Sequence, residues 1–584
     1  MRKYVFPLVL ILLFPLFGLF ISLQTVSTVS SGLTTAESQI VGLVNGTRAY
    51  EYDLELERIA YNHTLSNYSY RSGGSSGANA TSDWLVEQLV NMGLEVHKEQ
   101  FQFTTWEVVS KPELIVDDDG DFGTPGDQTS FDCFTCEHYS WPTPPGGVFA
   151  DLVVLPLPPA SSYSQIGMYP INATEWNSID TTGKIVLIGR EVRWVSSWEL
   201  TYRNKLQSQT PVAVIYCIWY DWMSHSPEAT SSIGGRPYSQ YGRYYWDLQI
   251  PVGSLGYSDG LWIRNREKSL NVSSHVEIAT VIGSGPHYNV VGKITGNKYP
   301  DKYVIVSSHY DTVMDSGFCD NGAGTAGVLE LARVFAEANA TGLLNPKYTL
   351  LFIPWADEEL FLVGAINYVI QHKAEMSHIV AVINMDCIGS DNLYISETTP
   401  GPRFDLDQLV YKAAQDLGIA ATYAAPGGSD QEVFKSPSWA NDNYQWCWGL
   451  DTEIADAVAV QSSTMIISYP LMTRDVFQMG EPGWIHTSYD NSTSTTTLDW
   501  IEATDLENQL KVTALSIARI VTRNPADINN DGRVDMNDIG YVARRFGINQ
   551  TSPLWDPAAD INSDGIINMK DIGYVAKYFM QLEP

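Results

Sequence analysis

Three apolar, β-rich runs, Tyr303–Ser307, Tyr348–Trp355 and Ile379–Asn384, lead into polar residues of the kind that do chemistry. His309 and Asp311 follow the first, Glu358 and Glu359 the second, and Asp386 the third. Between the first two runs, Val328, Leu331, Ala332 and Phe335 recur at helical period. Strands alternating with helices predict an α/β fold: a doubly wound, mixed but mostly parallel sheet with helices on both faces. In such sheets ligands and catalytic groups gather at the carboxyl ends of the strands, which is where these residues fall.

His309, Asp320, Glu359, Asp386 and the distant His486 offer nitrogen and oxygen donors suited to two zinc-like ions roughly 3.5–4 Å apart. Asp320, on a glycine-rich turn opening a helix, is expected to bridge the ions, and the helix dipole favours a carboxylate there. His309 and Asp386 would complete one site, Glu359 and His486 the other. Asp311 is placed to accept the second N–H of the His309 imidazole and fix its tautomer. Glu358 stays unligated. Consecutive side chains point in different directions, so Glu358 can take a proton from water while Glu359 holds metal.

The order His-x-Asp, Asp-Asn-Gly-Ala-Gly, Glu-Glu, Asn-Met-Asp and a late His in WIHTSYD resembles the di-zinc aminopeptidase family. That family includes secreted leucyl aminopeptidases, aminopeptidase S-like enzymes and, more distantly, glutamate carboxypeptidase and glutaminyl cyclases. The resemblance runs over about Thr35–Arg523. It implies that Glu358, first of the pair, is the general base and Glu359 a ligand. Arg71 in YRSGGSSG matches the family's Arg-x-x-Gly loop. Gly427, Gly428, Ser429 and Asp430 are expected to form a loop near the substrate, with Asp430 as a substrate contact. Gln431 stands where family members often have His, which bears on substrate preference and not on metal. Trp446, Trp448 and Trp484 either line the pocket or pack in the core. The other eight histidines, at positions 63, 97, 138, 225, 275, 287, 372 and 378, read as surface or packing residues.

At the N-terminus Arg2 and Lys3 precede an apolar run, Val5–Leu23, and small polar residues. Residues 1–31 are expected to be a secretory signal, with an uncleaved membrane anchor as the alternative that Pro7 and Pro15 weaken. Asn-x-Ser/Thr triplets such as those at Asn45, Asn172 and Asn491 fit an exported glycoprotein. The six cysteines are too few for a disulfide scaffold. Cys133 and Cys136 suggest a local disulfide; Cys319 and Cys387, each beside a proposed ligand, are either bridged or buried thiols. A formal charge of −32 argues against nucleic acid and anionic membrane as partners.

Residues 35–145 are expected to form the N-terminal part of the peptidase domain, with helices leading into its first strand. Leu85, Leu89 and Met92 share one helical face, and Gly93 is a natural stop. The Asp117–Asp121 stretch, acidic and punctuated by glycine, reads as a solvated loop, with a calcium loop as the alternative. Residues 146–283, aromatic and rich in short strands, resemble an inserted protease-associated domain, β-rich and without catalytic groups. Residues 284–523 are the expected catalytic core, ending in a long helical segment, Leu498–Val521.

Residues 525–584 carry two near-identical loops, DINNDGRVDMND and DINSDGIINMKD. Their ligand positions are Asp527, Asn529, Asp531, Arg533 (by its carbonyl), Asp535 and Asp538, then Asp560, Asn562, Asp564, Ile566 (by its carbonyl), Asn568 and Asp571. Oxygen-only ligands at this spacing, with Gly532 and Gly565 at the sharp turn, indicate two calcium ions. Asp at the last position, and a helix only after each loop, resemble a dockerin type I domain, small and α-helical. That resemblance implies a cohesin-containing surface or scaffold protein as partner, with Met536-Asn537 and Met569-Lys570 helping to set its identity.

The expectation is therefore an enzyme: an exported or cell-surface metallo-exopeptidase with two zinc and two calcium ions, acting on peptides as an aminopeptidase. Carboxypeptidase action, glutaminyl-cyclase-like acyl transfer and a non-catalytic receptor-like role are the alternatives.

Overall fold

The computed structural model describes residues 33–580 apart from 64–68, 156–172, 191–203, 219–248, 268–271, 397–405, 425–427, 469–489, 494–500, 529–532 and shorter gaps. The apolar run Val5–Leu23 lies outside these residues. Among the described residues no helix is long and apolar enough to cross a membrane.

The centre of the molecule is the set of strands read from the sequence. In chain order the strands are β1 (Glu95–Asp117), β2 (Gln128–Ser130), β3 (Thr135–Cys136), β4 (Val148–Leu155), β5 (Ile185–Arg190), β6 (Ala213–Ile218) and β7 (Val252–Leu255). They continue as β8 (Ser273–Ile294), β9 (Tyr299–His309), β10 (Tyr348–Trp355), β11 (Ile379–Asp386), β12 (Leu393–Ser396), β13 (Ala421–Ala424) and β14 (Ser463–Ile467). The catalytic side runs β13-β12-β14-β11-β9-β10-β8. The pairs β14–β11, β11–β9 and β9–β10 are parallel, and β8 closes antiparallel on β10. Every residue of β10 and β11 is buried. Strands covered on both faces need such continuous apolar runs, and the runs show no two-residue alternation for that reason.

Helices cover both faces. Gly324–Ala340 carries Val328, Leu331, Ala332 and Phe335, all fully buried, onto β9 and β10. The helix Ala503–Thr522 packs on Gly46–His63 and Leu406–Leu417. Leu85 and Leu89 are buried in the helix Ser76–Asn91, and Gly93, at φ +89°, ends it.

The chain crosses from β9 to β10 on one side and then returns to β11 on the other. This reversal makes β9 the topological switch point, where an open α/β sheet leaves a crevice at its strand ends.

The segment 146–283 contributes the parallel strands β4-β5-β6-β7, and β3, which precedes the expected boundary at 146, pairs antiparallel with β7 at their edge. One face has a small core of its own, including Leu155, Trp176, Val186 and Val214. The sequence boundary at 283/284 falls inside a strand. β8 pairs with β1 from Glu95↔Lys293 to Asp117↔Ser273, with Gly283 opposite Thr105. The segment is thus carried on a long two-stranded ribbon, which is bulged between Val108 and Glu113.

Candidate active site and dockerin loops

His309 ends β9, Asp386 ends β11, and Glu358 and Glu359 sit on the turn that follows β10. Asp320 lies in a distorted turn, Phe318–Ala323, that opens the helix Gly324–Ala340. The Nε2 of His309 is 3.2 Å from Asp320 Oδ1 and 3.5 Å from Asp386 Oδ1. One ligand atom from each of these three residues lies within 4.8 Å of the others, and all three residues are buried. His309 Nε2 and Asp386 Oδ1 are buried without a well-formed hydrogen bond among the described residues. A buried imidazole facing two carboxylates, with polar atoms left over, fits a cation that those atoms would ligate.

The surroundings hold this set in place. Asn321 donates its amide to the Met385 carbonyl at 3.0 Å and accepts from the Cys387 N–H at 3.3 Å, tying the Asp320 turn to the end of β11. Thr325 Oγ1 donates to the His309 carbonyl at 2.7 Å. His309 Nδ1 is 3.1 Å from the Asp311 backbone carbonyl and 3.5 Å from its carboxylate. The tautomer is therefore fixed first by Asp311's main chain. Its carboxylate mainly serves the glutamates: Oδ1 accepts from Glu358 N–H at 3.0 Å and Oδ2 from Glu359 N–H at 3.1 Å.

Glu359 is fully buried and Glu358 half-buried at the mouth of the turn. Burial above all raises the Glu358 pKa well above the usual carboxylate range; His309 opposes this, while Glu359, Asp430 and Asp386 add to it. Burial works against a charged His309, yet the nearby carboxylates of Asp386, Asp311 and Asp320 outweigh it and raise that imidazole well above its ordinary value.

Asp430 is fully buried beside the cluster, and its pKa is raised well above normal by burial, with Asp311 and Asp386 adding to the effect against His309. Asn384 donates to Ser429 Oγ at 2.9 Å and to Gln431 Oε1 at 3.3 Å, so Gln431 anchors the Asp430 loop. Trp448 donates its indole N–H to the Leu360 carbonyl at 3.0 Å and packs edge-on to Phe103 at 4.6 Å. Trp484 and His486 lie outside the described residues, as does the side chain of Trp446. Cys319 and Cys387 are buried thiols that hydrogen-bond to each other. Cys133 lies outside the described residues, so its pairing with Cys136 stays an expectation.

Two further residues brace the cluster: Asp490 is not singled out by the sequence, and Arg71 shows there only as part of a loop motif with no partner indicated. Asp490, in the same stretch as His486, accepts from the N–H groups of Cys319 at 2.6 Å and Asp320 at 3.1 Å. The fully buried Arg71 donates to the carbonyls of Tyr310 (2.9 Å), Ser316 (2.6 Å) and Gly317 (3.1 Å), bracing the loop between His309 and Asp320. An acidic residue four positions after the late histidine was the available signal for Asp490.

In the C-terminal unit, Asp527, Asp538, Asp560 and Asp571 are buried. Asp538 accepts from Ile528 N–H (2.7 Å) and Asp535 N–H (2.9 Å), and Asp571 likewise from Asn562 N–H (3.2 Å) and Asn568 N–H (2.8 Å). Gly565 donates to Asp560 at 2.9 Å. Asp535 and Asn568 cap the helices Met536–Ala543 and Met569–Lys577. The shared core includes Val534, Val542, Ile567 and Val575. Asn529, Asp531 and Asp564 lie outside the described residues.

Residues 289–507 match the model of peptidase family M28, and residues 525–580 that of the dockerin type I domain. A probable glutamate carboxypeptidase of Arabidopsis thaliana is 30% identical over 156 residues, 26% of this chain and 21% of the relative. The chain spans only about a fifth of the length of the first such curated relatives it matches. Leucine aminopeptidase 2 of Arthroderma otae is 24% identical over 393 residues, 65% of this chain and 68% of the relative. Among solved structures, a zinc aminopeptidase from Bacillus subtilis superposes with a TM-score of 0.54 at 18% identity, covering 82% of this chain and 96% of its own. An aminopeptidase from Aneurinibacillus sp. strain AM-1 does so at 0.50 and 19%, covering 83% and 96%. The chain thus carries a family M28 peptidase domain followed by a dockerin type I domain, and its fold is that of the zinc aminopeptidases.

Proposed function

We propose that this chain is an exported zinc-dependent exopeptidase, an aminopeptidase by preference, attached through its dockerin to a cohesin-bearing partner. The observation that carries the reading is the convergence of His309, Asp320 and Asp386 at the switch point, with Glu358 and Glu359 hung from Asp311 beside them. His309, Asp320, Asp386, Glu359 and His486 would hold two zinc ions, which when bound lower the pKa of water and polarise the scissile carbonyl. Glu358, at the mouth of the turn, takes the proton from the attacking water and returns it to the leaving amine. Asp430, buried beside the cluster, is assigned to substrate contact, and the segment 146–283 to shaping access. The matched relatives' names include both carboxypeptidase and aminopeptidase; the fold shared with solved aminopeptidases favours the latter.

The dockerin holds two calcium ions through Asp527, Asn529, Asp531, Arg533, Asp535 and Asp538 and through Asp560, Asn562, Asp564, Ile566, Asn568 and Asp571. Met536 and Met569, at equivalent helix starts, are each 64% exposed, as apolar anchors for a partner need to be. A partner of this kind places the enzyme outside the cell, where its peptide substrates are.

The test is hydrolysis of a panel of aminoacyl-p-nitroanilides before chelation, after it, and after zinc is restored. Metal-dependent release is expected. Silence across the panel with zinc bound would shift the assignment to carboxypeptidase or cyclase chemistry.

A further inference from the structure

Behind the turn that carries Glu358 lies a second histidine–carboxylate pair. His287 Nδ1 is 2.5 Å from Asp357 Oδ2, and both side chains are about 1% exposed. The rings of Phe101 and Phe103 flank the imidazole at 5.6 and 5.9 Å. Burial disfavours the imidazolium, but Asp357 outweighs it and holds the His287 pKa above its ordinary value. Nothing in the chemistry at the strand ends uses this pair.

Its placement suggests a purpose. Residues two apart on a strand share a face, and on β8 these are His287 and Asn289. Asn289 accepts from Ala356 N–H at 3.1 Å and donates to the Gly364 carbonyl at 2.9 Å. One face of β8 therefore holds both ends of the turn 356–364, with His287 holding Asp357 between them. Asp357 has φ +60°, a left-handed conformation uncommon outside glycine that Asp and Asn adopt more readily than most residues. In that conformation the next two N–H groups, of Glu358 and Glu359, both reach Asp311.

The SGG loop is shaped to lie on the pair. A Cβ on Gly73 would stand 2.2 Å from Asp357 Oδ1, and one on Gly74, itself at φ +74°, would stand 2.7 Å from His287 Nε2. Only glycines let the backbone close over these charges and keep water out.

We infer that His287 and Asp357 are positioning residues: their ion pair locks the left-handed turn and so aims Glu358 at the reacting water. The kinetic part rests on the exopeptidase reading; the mechanical part does not. The experiment compares Asp357→Asn, His287→Gln and the double variant with wild type in the zinc-loaded full chain. Asn keeps the shape and tolerance of the left-handed conformation but removes the charge. Measured are kcat and KM on an aminoacyl-p-nitroanilide, bound zinc, and amide hydrogen exchange over 356–362 against the control helix Ala503–Thr522.

Each single variant is expected to lose about 10- to 100-fold in kcat, with KM and zinc content kept, and the double variant to lose no more than the worse single. Exchange over 356–362 should quicken while the control helix stays protected. Wild-type kcat with unchanged exchange would overturn the inference. So would losses that follow lost zinc, or that quicken the control helix equally, because the pair would then only stabilise the fold. Selective quickening in a chain whose wild type hydrolyses nothing would keep the positioning role and discard the exopeptidase reading. If Asp357→Asn fails to fold, His287→Gln decides.

Discussion

At the strand ends, the backbone around Asp320 is held by Asp490, 171 residues from Cys319, and the loop before it by Arg71, 245 residues from Ser316. In the dockerin the equivalent work is done within one loop: Asp571 holds Asn562, nine residues away, and Asn568, three residues away. The first site exists only when the whole sheet has formed. Each calcium loop is a twelve-residue unit whose last aspartate fixes its own backbone, although Val534 and Ile567 share one core. A site gathered from distant elements is therefore sensitive to changes far from it, while a local one tolerates damage elsewhere.

The largest effect that would sharpen this contrast is Glu358→Gln. It is expected to lower kcat by about 10²–10⁴-fold with zinc retained, measured as single-turnover hydrolysis alongside metal content; full activity would remove Glu358 as the base. Arg71→Met comes next. It leaves Asp53 and Asp490 buried without their cation, at a cost of about 3–5 kcal/mol. Denaturant unfolding should show the peptidase transition shifted and the dockerin's calcium affinity unchanged. A shift of both would break the separation drawn between the regions.

Asp538→Ala and Asp571→Ala each remove a proposed calcium ligand and two backbone hydrogen bonds, worth about 1 kcal/mol apiece. Calorimetry should show both variants weakened to a similar degree, since the repeats are equivalent, and peptidase activity should be untouched. Smallest of all, Met536→Ala and Met569→Ala are each expected to cost about 1 kcal/mol in cohesin binding with calcium affinity unchanged. Unequal losses would show that the partner prefers one repeat.

Most residues that carry chemistry were legible because they follow apolar runs, and apolar runs mark strand ends. His309, Glu358, Glu359 and Asp386 were found that way, and Asp320 by the glycine-rich turn that opens a helix. Their supports were not. Asn321 and Arg71 showed only as motif positions without partners, Asp490 is an ordinary polar residue in sequence, and His287 read as a packing histidine. Each acts through a partner on another element, and no local period records such pairings. Asp311 was half legible: its place two residues after His309 pointed to the imidazole, but its carboxylate is directed to the amides of Glu358 and Glu359, which arrive from β10.

The sequence by itself determined the three central strands, the order of the site residues and the two calcium loops, because burial periodicity and loop spacing are local properties of the chain. The tertiary structure decided which buried charges meet. Desolvation forces Arg71, Asp490, His287 and Asp357 to find partners, and those partners lie far along the chain.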